Sequence, residues 1–505
     1  MASPQGPVTP AISDTLTKGP IYGVDGPDSQ RRIVDRLNPA LVNLLTVLGF
    51  GLPLISCVWL LRQYSVNVIF GDQWDDVAVI AHSYTHLFDW SSLWAQHNEN
   101  RIFFPNLIVL VLARVTSFNT QIEEYLSTLM LIVATGLLIW AHRRRAPTTP
   151  WLYYCPVAIL ALSIVQYENM LEGFQMAWCL VYLSLAVVIV LIDRASLTWI
   201  AFAGAIIAGV VGSFSSLQGL LIWVAGLVLL YHRQRRAPFV IVWIVSAVVS
   251  IVVYFHNFNT SEGSPSHAYA FQHPLAAMKF FVFAVGDVLG YAQQNAKPGN
   301  PGVLIFGVAL LILALFTLVL YGVRRDRSGA APIGVALICV GLLFAAMITE
   351  GRVIFGLPAA SQSRYTTFDL LVPIGIFLAL LIRPTLVTES RPQPSDADDV
   401  ASQMIRQGQR GPGWVDQIAI PVARWVLAAV IVVQIALGLH FGLPRARELH
   451  ASSEVAAHVL RNIDHTTDST VEFPLDPFYP EAFVRQQARI AQKHHLSLFA
   501  NPPSP

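Results

Sequence analysis

The sequence predicts an all-α, polytopic membrane protein with about eleven transmembrane helices. Three observations predict it. Of its 505 residues 54% are apolar and only 12% are charged, and mean hydropathy is +0.54, which is too apolar for a soluble chain of this size. Apolar runs of about 17 to 23 residues recur along the chain, long enough to cross a hydrocarbon core of roughly 30 Å. Basic clusters punctuate those runs, as they do on the cytoplasmic side of membrane proteins. The net charge of +1 gives no bulk electrostatic case for a nucleic-acid partner.

Residues 1–38 are polar and rich in Pro, Gly and Ser. They do not resemble a cleaved signal peptide and read as a disordered cytoplasmic arm. The basic clusters are Arg31, Arg32 and Arg36; Arg143, Arg144 and Arg145; Arg233, Arg235 and Arg236; Arg324, Arg325 and Arg327; and a polar loop at 384–422 with Arg391, Arg406 and Arg410. If all face one side, each interval holds an even number of spans. Between Arg36 and Arg143 lie three apolar runs, 40–61, 102–118 and 122–141. The weakest, 102–118, begins beside Arg101 and contains Pro105 and Arg114, so it is expected to lie in the outer interface. The run 275–291, with Lys279 and Asp287, is set aside in the same way, inside a long fourth outer loop.

The remaining spans are 40–61, 122–141, 151–167, 174–192, 197–213, 218–231, 237–256, 301–322, 331–349, 367–383 and 423–442. The expected topology has the N-terminus in the cytoplasm and the C-terminus outside, in the cell (plasma or inner) membrane. A transmembrane domain covers 39–442. A small outer-face tail, 443–505, is expected to be helical near 450–462 and 480–494. There is no internal repeat. Cys57, Cys155, Cys179 and Cys339 fall in or beside apolar runs and read as small buried hydrophobes without metal-ligand spacing.

This topology sorts polar chemistry to one face. The first outer loop carries "GDQWDD", with Asp72, Trp74, Asp75 and Asp76, then "HNENRIFFPN", with His97, Glu99 and Arg101. The next outer turn is "QYENMLEGFQMAW", with Glu168, Glu172 and Gln175; later come Lys279 and "EGRVIFGLPAASQSRYTTF", with Arg352, Arg364 and Tyr365. Each has a structural alternative. Asp75 is a candidate helix cap, the arginines are candidate snorkelling anchors, and Trp74, Trp90 and Trp94 are candidate interfacial aromatics. Ionisable groups gathered at membrane depth nevertheless point to function.

In these features the chain resembles the GT-C superfamily of membrane glycosyltransferases. The resemblance rests on the acidic motif after the first span, the interfacial helix introduced by "HNENRIFFPN", and about a dozen spans followed by an outer tail. It covers roughly residues 40–442. The stretches "ENMLEGFQ" and "SRYTTF" are similar to those of bacterial membrane proteins of this broad type. The resemblance implies a polyprenyl-phosphate-linked sugar donor, a glycan, lipid or protein acceptor, and the bilayer as partner. In that chemistry a carboxylate takes the proton of the acceptor hydroxyl. Asp72 is the first choice of base, and Asp75 and Asp76 orient the acceptor or hold a divalent ion, magnesium or manganese. Arg352 and Arg364, with Arg101 and Lys279 behind them, suit the leaving phosphate because the guanidinium gives paired, charge-assisted hydrogen bonds. Trp74 and Tyr365 are candidates to stack on sugar rings, and His97, Glu99, Glu168 and Gln175 to bind hydroxyls. The alternative functions are a lipid-linked-sugar transporter and a non-catalytic scaffold for envelope assembly. The transporter would want polar residues in mid-span and interrupted helices.

Overall fold

The structure is a computed structural model that describes residues 38–85, 89–233, 236–259, 268–290, 300–322, 329–381, 418–467 and 479–500. The arm at 1–37 and the loop from 384 to 417 lie outside the described residues. Among the described residues, eight helical segments are long and apolar enough to cross a membrane. They are Pro39–Tyr64, Thr120–Arg145, Gly173–Ile192, Ala237–Phe255, Pro301–Tyr321, Ala331–Phe355, Leu357–Leu381 and Ile420–Arg461. The described strands form one antiparallel hairpin, Gln96–His97 with Asn100–Arg101. The chain is therefore an all-α, multi-pass membrane protein.

Three of the expected spans differ from that set. Two fold as shorter apolar helices, Trp199–Ser213 and Leu217–Arg233. The third, 151–167, is assembled from pieces: the 3-10 turn Trp151–Tyr154, the seven-residue helix Cys155–Ala161 and the 3-10 turn Ile164–Gln166. Proline near the start of the short helix and Ser163, whose side chain accepts from Val165 N, mark the two breaks. The two runs set aside by the parity argument fold as Phe103–Thr116, 14 residues, and Pro274–Gly286, 13 residues. At 1.5 Å per residue both are about 20 Å long, short of a hydrocarbon core of roughly 30 Å.

Thr120–Arg145 is the axis that separates two chemically different ends. Its 26 residues span about 39 Å. At its C-terminal end, Asp193 is fully buried and bound by three arginines from two helices. Arg145 Nε lies 3.1 Å and Arg233 Nε 2.5 Å from its carboxylate, with Arg144 at 4.0 Å. His142, also buried, contacts Tyr154 Oη at 3.0 Å and Leu378 O at 2.9 Å. Two basic clusters far apart in sequence thus share one end of the bundle, as the parity argument required of them.

At the N-terminal end the same helix meets the loop that follows the Pro39–Tyr64 helix. Asn67 Oδ1 accepts from Thr120 N at 3.1 Å, and Gln121 donates to Ser65 O at 3.0 Å. The last helix, Ile420–Arg461, runs the whole distance. Arg424 donates to Leu380 O at the arginine end, while Arg447 and His450 contact Tyr64 at the other. Its 42 residues amount to about 63 Å, so the expected tail begins as an unbroken extension of the last span.

Ser196 and Ser452 are exposed at opposite ends of this arrangement. In a variant whose native cysteines are replaced by alanine, Ser196→Cys and Ser452→Cys should react with an impermeant maleimide from opposite sides of sealed vesicles. Labelling of both from one side would overturn the two-ended architecture.

Candidate functional site

The site is built where the chain leaves the Pro39–Tyr64 helix. Gly71 has φ +59°, a left-handed conformation that glycine adopts without strain. It turns the backbone so that Trp74 N donates to Gly71 O at 3.1 Å and Asp75 N to Asp72 O at 3.2 Å. Asp72 therefore heads the Gln73–Thr85 helix, and Asp75 and Asp76 occupy its first turn, where the unpaired amides favour carboxylates. Gln73 fixes this helix to the bundle by donating from Nε2 to Glu123 Oε2 at 2.8 Å. Gly173 makes room for that bond: a Cβ there would lie 2.3 Å from Glu123 Oε2 and 2.5 Å from Gln73 Nε2.

The hairpin supplies the counter-charge. His97 Nδ1 lies 2.9 Å from Asp75 Oδ2, and Nε2 lies 3.6 Å from Asp72 Oδ2. Phe174 packs against the ring at a centroid distance of 4.8 Å. Burial works against a charged imidazole, but hydrogen bonds and charge from both aspartates outweigh it and lift His97 to about 10. Asp72 is lowered in return. Burial raises it, but the close His97 imidazolium prevails, with Arg364 and Arg352 adding to it. The side chains of Asp72 and Asp75 are about 40% exposed, so this pair of carboxylates faces outward.

Two motifs singled out in the sequence meet directly behind this pair. Glu168 N donates to Ser363 Oγ at 3.2 Å, and Ser363 Oγ to Val165 O at 2.7 Å. Asn169 Nδ2 reaches Arg364 O at 2.9 Å and Thr367 Oγ1 at 2.7 Å, and Arg364 N donates to Glu168 Oε2 at 3.0 Å. Both stretches are broken helix, with Ile164–Gln166, Tyr167–Leu171 and Gly173–Gln175 on one side and Ser363–Tyr365 and Thr366–Asp369 on the other. Each supplies side-chain partners for the backbone groups that the other's breaks expose. The result brings Arg364 within electrostatic reach of Asp72 and of Glu172. Burial and the neighbouring Glu168 push Glu172 upward, against Arg364 and the Gln175 hydrogen bond of 3.1 Å.

The remaining expected residues divide. Arg352 is ion-paired with Glu99. Arg101 is 4% exposed and spends its guanidinium on carbonyls of Trp94, Tyr254, His256 and Asn257. In place of the phosphate role expected of it, Arg101 clamps the hairpin to the end of the Ala237–Phe255 helix. Lys279 is exposed on the Pro274–Gly286 helix. Trp74 is fully buried, a core residue with no ring face left for a sugar. Tyr365 is 5% exposed and stacks on Trp178 at 5.7 Å, so it too is enclosed. Trp90 stacks on Phe103, and Trp94 lies under Arg101. Asp76 faces inward, 3% exposed, onto a void of about 10 Å³ lined by Asn106, Gly173 and Phe174 among others.

Among the described residues no three His, Cys, Asp or Glu side chains converge as metal ligands. The position between Asp72 and Asp75 is filled by the His97 imidazole. Sequence reasoning missed Glu123 and Glu124, buried at 1% and 3%. The signal was available in "TQIEEY", two acids opening an apolar run. It also missed Tyr479, whose hydroxyl donates to Asp75 Oδ2 at 2.9 Å from 404 residues away. No local pattern marks that residue.

The fold and site define a polytopic α-helical membrane protein with a carboxylate–imidazole–arginine cluster at one end of its bundle. No protein-family profile and no curated protein sequence matches the chain. Among solved structures it is similar to ArnT from Cupriavidus metallidurans bound to undecaprenyl phosphate, with 13% identity, 89% of each chain covered and a TM-score of 0.44.

Burial lifts the Asp76 carboxyl to about 8; His97 opposes this, and the charges of Asp75 and Asp72 reinforce it. A carboxyl raised in the folded state favours folding fully below its unfolded value, and that contribution is lost as pH rises through the folded value. Relative to Asp76→Asn, the wild-type melting temperature should therefore fall between pH 5 and pH 9 and level off above. A pH-independent gap in thermal melts would mean that Asp76 is already charged in the folded protein.

Proposed function

We propose that this protein is a membrane glycosyltransferase. It moves a sugar from a polyprenyl-phosphate donor to a glycan, lipid or protein acceptor at the outer face of the cell membrane. In this reading the N-terminus is cytoplasmic and the C-terminus outside. The observation that carries it is Asp72: a half-exposed carboxylate, held ionised beside the His97 imidazolium and within electrostatic reach of Arg364 and Arg352. Base and phosphate-binding cations are the two things that transfer from a phosphate-linked sugar requires.

The chemistry follows from the placement. Asp72 accepts the proton of the acceptor hydroxyl as its oxygen bonds to the anomeric carbon. The bond from that carbon to the phosphate oxygen breaks, and polyprenyl phosphate leaves with the electron pair. One displacement inverts the anomeric centre. Arg364 and Arg352 balance the charge that grows on the phosphate. His97 keeps Asp72 ionised and aimed, and Asp75 holds His97.

A second reading, a lipid-linked-sugar transporter, draws on the interrupted segments at Ile164–Gln166 and Ser363–Tyr365 and on the buried Glu123 and Glu124. One experiment separates the two. The purified protein, in lipid nanodiscs, is given a panel of polyprenyl-phosphate hexoses and pentoses with extracted envelope glycolipids as acceptors. Transfer yields free polyprenyl phosphate and a glycosylated product. In sealed vesicles, a transporter moves the intact donor without releasing either.

Asp72→Asn should cut turnover by about 10²-fold or more with donor binding little changed. Arg364→Ala should raise the barrier by roughly 2–4 kcal/mol, with lysine rescuing only partly because it lacks the planar fork. Wild-type turnover in Asp72→Asn would remove the base and this mechanism with it.

A further inference from the structure

The C-terminal segment has no role in the chemistry above, yet it closes on the catalytic helix. Glu481–Lys493 packs along Gln73–Thr85. His494 stacks on Tyr84 with ring centroids 4.6 Å apart and planes 5° from parallel. Ser497 N donates to Ser117 O at 2.7 Å, and Ser497 Oγ to Asn67 Oδ1 at 3.0 Å. Leu496, Val484 and Ala488 are fully buried. These contacts fix the segment between the turn before the Gln73–Thr85 helix and the start of Thr120–Arg145. At the segment's near end, Tyr479 stacks on Phe483 at 4.9 Å and directs its hydroxyl to Asp75 Oδ2 at 2.9 Å. That oxygen is also the one 2.9 Å from His97 Nδ1.

We infer that Tyr479 is a positioning residue, through which the C-terminal segment locks Asp75 onto His97 and leaves Asp72 as the only carboxylate of the pair free to meet an acceptor hydroxyl. The inference rests on the glycosyltransferase reading for its consequence and on the hydrogen-bond geometry for its existence. Asp75 Oδ2 receives two donors and is committed. Asp72 Oδ2 has only the longer 3.6 Å contact with His97 Nε2. Removing the Tyr479 hydroxyl frees Asp75 to rotate, and His97 then loses one of the two partners that orient it. The unused part of the chain thereby settles which carboxylate is the base and which is its support.

Two readouts on Tyr479→Phe test this, and they fail separately. The substitution keeps the ring and its stacking on Phe483 and removes only the hydroxyl. The first readout needs no substrate. Diethylpyrocarbonate acylates the neutral imidazole, so a charged His97 is protected. The groups that face the ring are Asp72 and Asp75 from the turn and helix, Asn98 from the hairpin and Phe174 from the Gly173–Gln175 turn. Asp76 acts on it from behind, and Glu99 of the same hairpin is ion-paired with Arg352 from the end of the Ala331–Arg352 helix. In Tyr479→Phe the acylation of His97 at pH 7, followed by peptide mass spectrometry, should rise about fivefold, the factor expected from one hydrogen bond. The second readout is release of polyprenyl phosphate from the donor panel, in which turnover should fall by a similar factor while the donor KM stays unchanged.

Raised acylation with lowered turnover supports the inference. Unchanged acylation overturns it, whatever happens to turnover, because Tyr479 then does not act through Asp75 and His97. Raised acylation in a protein whose wild type transfers no sugar from any donor keeps the positioning contact and overturns the glycosyltransferase reading instead.

Discussion

The His97 imidazole between Asp72 and Asp75 is the interaction on which the acidic end of the protein depends. Three aspartates within five positions repel one another, and the helix N-terminus they share offsets only part of that. A cation placed among them from the hairpin removes the conflict. Its placement depends on a chain of contacts that all have to hold. Arg101 pins the hairpin with bonds to four backbone carbonyls. Gln73 pins the acidic helix to Glu123, and that bond exists only because residue 173 has no side chain. Arg101 is therefore as necessary to the site as an arginine that touched substrate, but through geometry rather than charge.

The class of fold was legible in the sequence, and the internal wiring was not. Hydropathy reports lipid-facing and buried apolar residues alike, so most long spans stood out. The same property hid the breaks at 151–167, where Cys155–Ala161 and its flanking turns remain apolar while their backbone departs from one helix. The acidic motif and the two later polar stretches were visible because charge is costly at membrane depth. Which of them touch is a matter of tertiary contact: Asn169 with Arg364 and Thr367 spans 195 and 198 positions. The aromatic assignments failed for a related reason. Tryptophan and tyrosine serve core and interface equally well, and Trp74 and Tyr365 belong to the core.

The two ends of the bundle handle buried charge in opposite ways. At the arginine end, Asp193 sits fully buried under three arginines, so cations exceed anions and the carboxylate is saturated. Removing it would leave guanidinium groups uncompensated in a low-dielectric setting, a far larger loss than the pair's own net stability. At the acidic end carboxyl groups outnumber cations. Asp76, Glu123 and Glu124 each keep a buried oxygen without a hydrogen-bond partner. An end that holds buried carboxyl groups short of partners is poorly suited to being merely structural. It is suited to receiving donors, whether hydroxyls or a proton.

For the proposed phosphate-linked donor that excess is a difficulty, and the Arg352–Glu99 pair offers a way to meet it. Arg364 is enclosed among Glu168, Glu172 and Asp72, so part of its charge is already answered. Arg352 and Glu99 are 34% and 42% exposed, and a pair so open to solvent holds together by about 0–1 kcal/mol. A phosphodiester offers the same guanidinium an anion with a matching fork of two free oxygens. Exchange of Glu99 for phosphate on Arg352 therefore costs little. In the proposed reaction it would deliver an unanswered cation only when the donor is bound. Without a ligand, Arg352 is neutralised by Glu99 of the hairpin.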